Sequence, residues 1–225
     1  HGGEIVTIAG VQGNGQTELA NALLGLVPVI GGSVTMEGVD ITHAAPAQTL
    51  RAGMGFVPED RQLDGLIAQL SIAENLVLDQ LDEYSRFAYL DVEAIDRNAR
   101  KRVEEFDIRT QSAQAPASSL SGGNQQKVVL AREMSRPLKV LVASQPTRGV
   151  DVGAVEFLHR RIVAERDRGT AILIVSTELE EVESLSDRIA VMYRGRIVGI
   201  VPPDTPREVL GLLMAGVSAE EAAEV

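Results

Sequence analysis

The chain has 225 residues, 44% of them hydrophobic, enough to bury a sizeable core and to hold one domain with a subdomain. Lys and Arg number 21 against 32 Asp and Glu, and the net charge of −11 excludes a sequence-independent grip on nucleic acid, which needs basic surface to displace counterions. There is no cysteine, hence no disulfide framework or thiolate metal site, and no apolar run reaches bilayer-spanning length; with no signal-peptide pattern either, a soluble cytoplasmic protein is expected.

Residues 3–10 (GEIVTIAG) are a β-branched run closed by glycine and read as a buried strand. Residues 16–26 (QTELANALLGL) carry leucine and alanine at helical spacing, with Gly31 and Gly32 closing the region. Short alternating runs between residues 31 and 60 predict small antiparallel strands and a return strand at Met54–Val57. From about Ser71 to Ala117 the pattern is mainly helical, in 70–81 (LSIAENLVLDQL) and 91–108 (DVEAIDRNARKRVEEFDI), followed by a polar loop at 110–119. A helix then starts at about Asn124. Next come an apolar strand at 138–144 (LKVLVAS), a loop and helix over 146–169, and a second apolar strand at 170–176 (TAILIVS). A helix at 177–188, a hairpin at 189–201, a last helix at 205–216 and an acidic tail complete the order. Apolar strands alternating with amphipathic helices mean an α/β domain with a mostly parallel sheet.

The stretch AGVQGNGQTEL places Gly10, Gly13 and Gly15 where a phosphate-cradling loop needs them, between a strand and a helix. The pattern asks for lysine at 16, and the sequence has Gln16. Alone, this stretch reads as a phosphate loop, the lesser alternative being a glycine turn ahead of a helix. A second motif, LSGGNQQK at 120–127, puts Ser121, Gly122 and Gly123 at a helix start, where free N–H groups and the helix dipole suit an anion. Other polar groups offer less. His1, His43 and His159 show no ligand spacing, His159 reads as lying on a solvated helix face, and ELEEVE reads as a wet helix surface.

With both motifs in order, the chain resembles the nucleotide-binding domain of ABC transporters over essentially its whole length. GNGQTEL, VPEDR, LSGGNQQKVVLARE, QPTRGVDVGA, STELEEV and LMAG are most similar to the second half of tandem ATP-binding proteins of bacterial simple-sugar and nucleoside importers. The resemblance implies one ABC-type domain over 1–225. It would hold a RecA-like P-loop core, a small antiparallel β subdomain, an inserted helical signature subdomain at about 71–120 and a tail at 216–225. It implies ATP and Mg²⁺ as ligands, with Gly10, Gly13, Asn14, Gly15, Gln16, Thr17 and Glu18 forming the chain's own loop and the Thr17 hydroxyl facing the metal. Ser121, Gly122, Gly123 and Asn124 would face the ATP of a partner domain, and Asp151 would lie in the dimer loop.

The departures from the family pattern bear on activity. Gln16 stands for the loop lysine, Glu59 for the lever glutamine, and Ser144 and Gln145 for the metal-side aspartate and general-base glutamate. Thr177 stands for the histidine at the γ-phosphate. A neutral Gln145 cannot accept a proton from water, and Ser144 organises metal-bound water poorly. Because these positions differ together, natural divergence explains them better than an engineered trap. The loop backbone is still expected to cradle phosphate weakly.

The implied partners are the N-terminal half of the same chain, membrane permease subunits and, indirectly, a solute-binding protein, at the cytoplasmic face of the membrane. In the family an adenine-stacking aromatic precedes the loop strand; Phe56 is the first aromatic here, so a fragment of a longer tandem chain is expected. Three rivals stand beside this reading. A self-sufficient homodimeric ATPase would need the missing charged residues. A DNA-repair or translation ABC protein would need basic patches or long heptads. A pure interaction domain would bind no nucleotide.

Overall fold

The apolar strand runs and the helices between them assemble as doubly covered sheet geometry requires. The structure, a computed structural model, describes residues 1–86, 89–217 and 221. It divides into two units. The first holds His1–Phe56, Leu138–Gln145 and the chain from Val163; the second holds Val57–Pro137 and Pro146–Ile162.

The first unit is built on a six-stranded sheet. Its strands are β1 (Ile5–Ala9), β4 (Met54–Val57), β7 (Val140–Ser144), β8 (Ala171–Ser176), β9 (Arg188–Tyr193) and β10 (Arg196–Val201), in the order β10-β9-β1-β8-β7-β4. β1 pairs in parallel with both β8 and β9, β7 pairs in parallel with β8, and β10 returns antiparallel as an edge. Fully buried Ile5, Ala9, Leu141, Val142, Ile174 and Ile189 explain why these runs read as continuously apolar. Helix α1 (Gln16–Leu23) packs Ala20 with Leu24, Met36, Ile41, Met54 and Val142. The small strands β2 (Thr35–Met36) and β3 (Val39–Asp40) pair antiparallel around Glu37 and Gly38, both at positive φ, the geometry of a tight two-residue hairpin. Helix α2 (Pro46–Arg51) follows them. On another part of the core, helices α7 (Leu179–Leu185) and α8 (Arg207–Met214) bury Val182, Leu210, Leu213 and Met214 with Ile189 and Val191.

In the second unit a π-helical turn spans Arg61–Gly65, with the Asp60 carboxylate accepting from the Gln62 and Leu63 N–H groups. Helix α3 is only Ile72–Asn75. It ends early because the backbone tightens into i→i+3 bonds from Val77 to Glu74 and from Gln80 to Val77. Strands β5 (Ser85–Arg86) and β6 (Tyr89–Leu90) then pair antiparallel, and helix α4 runs from Val92 to Glu105. The mainly helical reading of 71–117 therefore holds for these two helices, while turns and a strand pair occupy the rest. Asn75, fully buried, holds the 67–71 loop: its carboxamide donates to Ile67 O and Ser71 O and accepts from the Ile67 N–H. Helix α5 covers Gly122–Glu133, two residues earlier than the sequence reading, because Ser121 rather than Asn124 is the capping residue. The last element here is the first part of helix α6 (Val152–Asp167).

Two side-chain readings are corrected. His159 is half-buried, not solvated, and Glu181 within ELEEVE is buried, because α7 turns that side toward the sheet. Of the acidic tail, Gly216 closes α8 at positive φ and Val217 packs on its core; residues 218–220 and 222–225 lie outside the described residues.

Ile189→Ala is expected to lower unfolding free energy by about 2–5 kcal/mol. Ile200→Ala, at a side chain 60% exposed on β10, should change it by about 0.5 kcal/mol or less. Urea denaturation of the two variants checks this; equal losses would show that the core is not centred on β9.

Candidate functional site

Parallel register decides which loops meet. Ala9 pairs with Ser176 and Ser144 with Val175, so the C-terminal ends of β1, β8 and β7 lie side by side. The glycine loop leaves β1, Thr177 follows β8, and Ser144 and Gln145 close β7. Ligands of open α/β sheets bind at such an edge.

In the glycine loop, Gly13 and Gly15 adopt φ of 87° and 106°, which side chains rarely tolerate, and Gly15 caps α1. Gln16 does not extend outward. It is buried, its Nε2 donates to the Val11 carbonyl at 3.0 Å, and its Oε1 accepts the Asn14 N–H at 3.0 Å. A Cβ at Gly10 would lie 2.7 Å from that Nε2, so only glycine leaves room for the carboxamide. One backbone N–H of the loop, that of Asn14, is therefore bonded within the chain. Thr17 and Glu18 are exposed on the first turn of α1.

Sequence reading missed a second attachment. The turn between β9 and β10 is bonded to this loop, with the Arg194 N–H donating to Asn14 Oδ1 at 2.9 Å and the Gly195 N–H to Asn14 O at 2.7 Å. The turn signal RG was legible at 194–195; its partner was not.

Gln145 is buried at φ 48°, a left-handed conformation that costs about 1 kcal/mol or more in a non-glycine residue. Its N–H donates to Val175 O at 2.7 Å, and its Nε2 donates to Thr177 Oγ1 at 3.1 Å. Two neutral groups thus satisfy each other. Ser144 is buried, with its Oγ unpartnered among the described residues. Mg²⁺ prefers a rigid oxygen shell usually anchored by carboxylate. Ser144, Gln145 and the exposed Thr17 bring none, and the described residues hold no cluster of three or more His, Cys, Asp or Glu able to bind a metal. These donors do not fit a tightly held Mg²⁺.

The second unit carries the other motif. Ser121 caps α5, and its Oγ accepts from the Asn124 N–H at 3.4 Å and from Asn124 Nδ2 at 3.0 Å. With the oxygen accepting both bonds, the serine O–H proton points away from Asn124 and is left able to donate. Asn124 Oδ1 in turn accepts the Arg109 N–H at 2.9 Å. Lys127, buried within α5, donates to Asp107 O at 2.7 Å and Asp107 Oδ2 at 2.9 Å, and lies 4.5 Å from the Phe157 ring centre. Thus the Asn and Lys of NQQK fasten the signature helix to residues 107–109. A cleft of about 480 Å³ opens here, lined by Ser121, Asn124, Lys127, Asp151, Phe157 and Arg160. A Cβ on Gly123 would stand 2.7 Å from Asp151 Oδ2, so the signature glycine is required by close approach of the 147–153 loop. Glu59 pairs with Arg148, and Arg61 donates to Arg148 O at 2.7 Å and Gly149 O at 3.2 Å. Arg61 and Arg148 lie within VPEDR and QPTRGVDVGA but were given no role from sequence.

This fold and this loop define a P-loop-type α/β domain with a second, signature-bearing unit. The family model for "ABC transporter" matches residues 1–148. Among curated relatives, the nucleoside import ATP-binding protein NupA of Lactococcus lactis subsp. cremoris is 47% identical over 222 residues, covering 97% of this chain and 44% of that protein. A ribose import ATP-binding protein of Rubrobacter xylanophilus is 44% identical over 220 residues, covering 96% of this chain and 44% of its own length. A nucleotide-free ATP-binding cassette from an ABC transporter superposes with a TM-score of 0.77 at 24% identity, covering 90% of this chain and 81% of that one. A dimeric cassette bound to ADP and Pi gives 0.77 at 22% identity, covering 92% and 88%. The chain belongs to the ABC transporter family of ATP-binding domains. It spans less than half the length of these curated relatives.

The hydrogen bonds from Lys127 hold the Asp107 carboxyl below the usual carboxylate range. A depressed folded pKa contributes stability that is complete above the unfolded value of about 3.9 and is lost as pH falls through the folded one. Parent protein should therefore lose more stability between about pH 6 and pH 2.5 than Lys127→Met loses. Urea midpoints at the two pH values test this, and parallel losses would contradict it.

Proposed function

We propose that this chain is the signature-donating, hydrolytically poor half of a tandem ATP-binding protein serving an importer of simple sugars or nucleosides. The observation that carries the reading is the contrast between two motifs in one chain. The signature presents an exposed serine donor oriented by Asn124, ahead of a helix with free N–H groups. The chain's own loop meets Gln145 and Thr177, which pair with each other and offer no base. Relatives named for nucleoside and ribose import support the transported class.

In this reading the partner is the other half of the same polypeptide, which holds Mg·ATP and supplies the phosphoryl chemistry. Ser121 Oγ and the amides of Gly122 and Gly123 donate toward the transferring phosphoryl group. Donors fixed in a dry site of that kind are worth about 2.7–4 kcal/mol each. Asn124 keeps the serine in its donor orientation, and the Gly123–Asp151 approach sets how far the 147–153 loop projects. Permease subunits receive the resulting domain motion, with a solute-binding protein acting upstream. No helix among the described residues is long and apolar enough to cross a membrane, in keeping with a peripheral attachment.

Two measurements test the proposal. The chain by itself should release phosphate from ATP no faster than background; saturable, Mg²⁺-dependent release abolished at Thr17 would oppose it. In the whole tandem protein, Ser121→Arg and Gly123→Asp should abolish ATPase activity and uptake, while Gln145→Ala should alter both by about twofold or less, with melting temperatures confirming folding. A Gln145→Ala loss as deep as the signature losses would give this half its own chemistry.

A further inference from the structure

We infer that Gln16 is a built-in occupant of the glycine loop, a side chain that takes a position an anion would otherwise contest. The inference rests on the reading of this loop as a former phosphate site. It concerns occupancy rather than hydrolysis.

The carboxamide bridges the loop like an inserted peptide group. Its oxygen accepts from the Asn14 N–H and its nitrogen donates to the Val11 carbonyl, each at 3.0 Å. These backbone partners fix which end is which, because an N–H can only donate and a carbonyl can only accept. Asn14 Nδ2 also donates to Val11 O at 3.0 Å, so that carbonyl is doubly engaged. The residue is withdrawn from solvent, with only 5% relative exposure. Gly10 provides its space, since a Cβ there would meet both Gln16 Nε2 at 2.7 Å and Met192 O at 2.6 Å.

A lysine at this position would behave differently. An ammonium has donors only, so it cannot accept the Asn14 N–H and leaves that group facing a ligand. Glutamine has a donor and an acceptor, and this pair of backbone partners needs both. The substitution therefore does two things. It removes a positive charge, and it adds an internal competitor for the loop. The β9–β10 turn, bonded to Asn14 through Arg194 and Gly195, further holds Asn14 in the position that receives the carboxamide. The loop has become a closed clamp on the hairpin.

The consequence is opposite to that of merely losing a ligand group. Truncating Gln16 should improve anion binding, because the anion no longer displaces two hydrogen bonds. Calorimetric titration of the chain with ADP and with inorganic pyrophosphate, in chelator, should show about tenfold tighter binding for Gln16→Ala than for the parent. Gln16→Met, similar in length and apolar, should show the same direction and guards against poor folding of the alanine variant. Amide exchange gives a ligand-independent readout: the Asn14 N–H should exchange about tenfold faster or more in both variants. Parent affinity equal to or above that of both variants, or unchanged Asn14 exchange, would overturn the inference. Neither result depends on the Ser121→Arg outcome, so the plug and the signature-donor reading fail separately.

Discussion

The parallel register that sets Ala9 beside Ser176 and Ser144 beside Val175 constrains everything at the loop site. It places the glycine loop, Thr177 and the Ser144–Gln145 pair on one sheet edge, whatever residues occupy them. The backbone thus brings these loops together, and the side chains set what chemistry the edge can do. Here two carboxamide side chains bond inward. Gln16 bonds to its own loop, and Gln145 bonds to Thr177. These bonds satisfy buried carboxamides within the chain, while the buried Ser144 Oγ has no partner among the described residues.

The second unit shows the reverse arrangement. Its polar side chains serve to hold a surface in place. Asn124 and Lys127 tie α5 to residues 107–109, while Glu59, Arg61 and Arg148 tie the 59–61 turn to the 148–149 turn. Phe106 and Phe157 meet edge to face beneath this surface, and Arg161 stacks 4.0 Å above the Phe106 ring. Ser121 remains exposed at the end of that supported helix. A group kept exposed among so many fixed neighbours fits a binding role better than a packing one.

Much of this is legible in the residues alone. β7 and β8 announce themselves as continuous apolar runs because both faces are buried, and Met54–Val57 and α4 follow from period. Sequence reading fails where pattern and hydrogen bonding part company. The apolar spacing of 70–81 persists beyond Asn75, but the backbone there switches to tighter turns, which spacing cannot register. For Glu181 and His159, residue type points to solvent while the face each presents points inward. At the site, the missing charges are visible as letters. What Gln16 does instead is not, because a rotamer depends on the carbonyl and N–H it meets across the loop.

The central proposal is that one chain carries both a working signature and a closed nucleotide loop. The most direct measurement is the stoichiometry of a non-hydrolysable ATP analogue on the proposed tandem protein, by equilibrium dialysis with Mg²⁺ at concentrations that saturate the tighter site. The account predicts a single tightly bound nucleotide per polypeptide, with any second one weaker by about a hundredfold or more, as loss of a charge contact and competition by Gln16 together imply. Two nucleotides bound with equal affinity would contradict it.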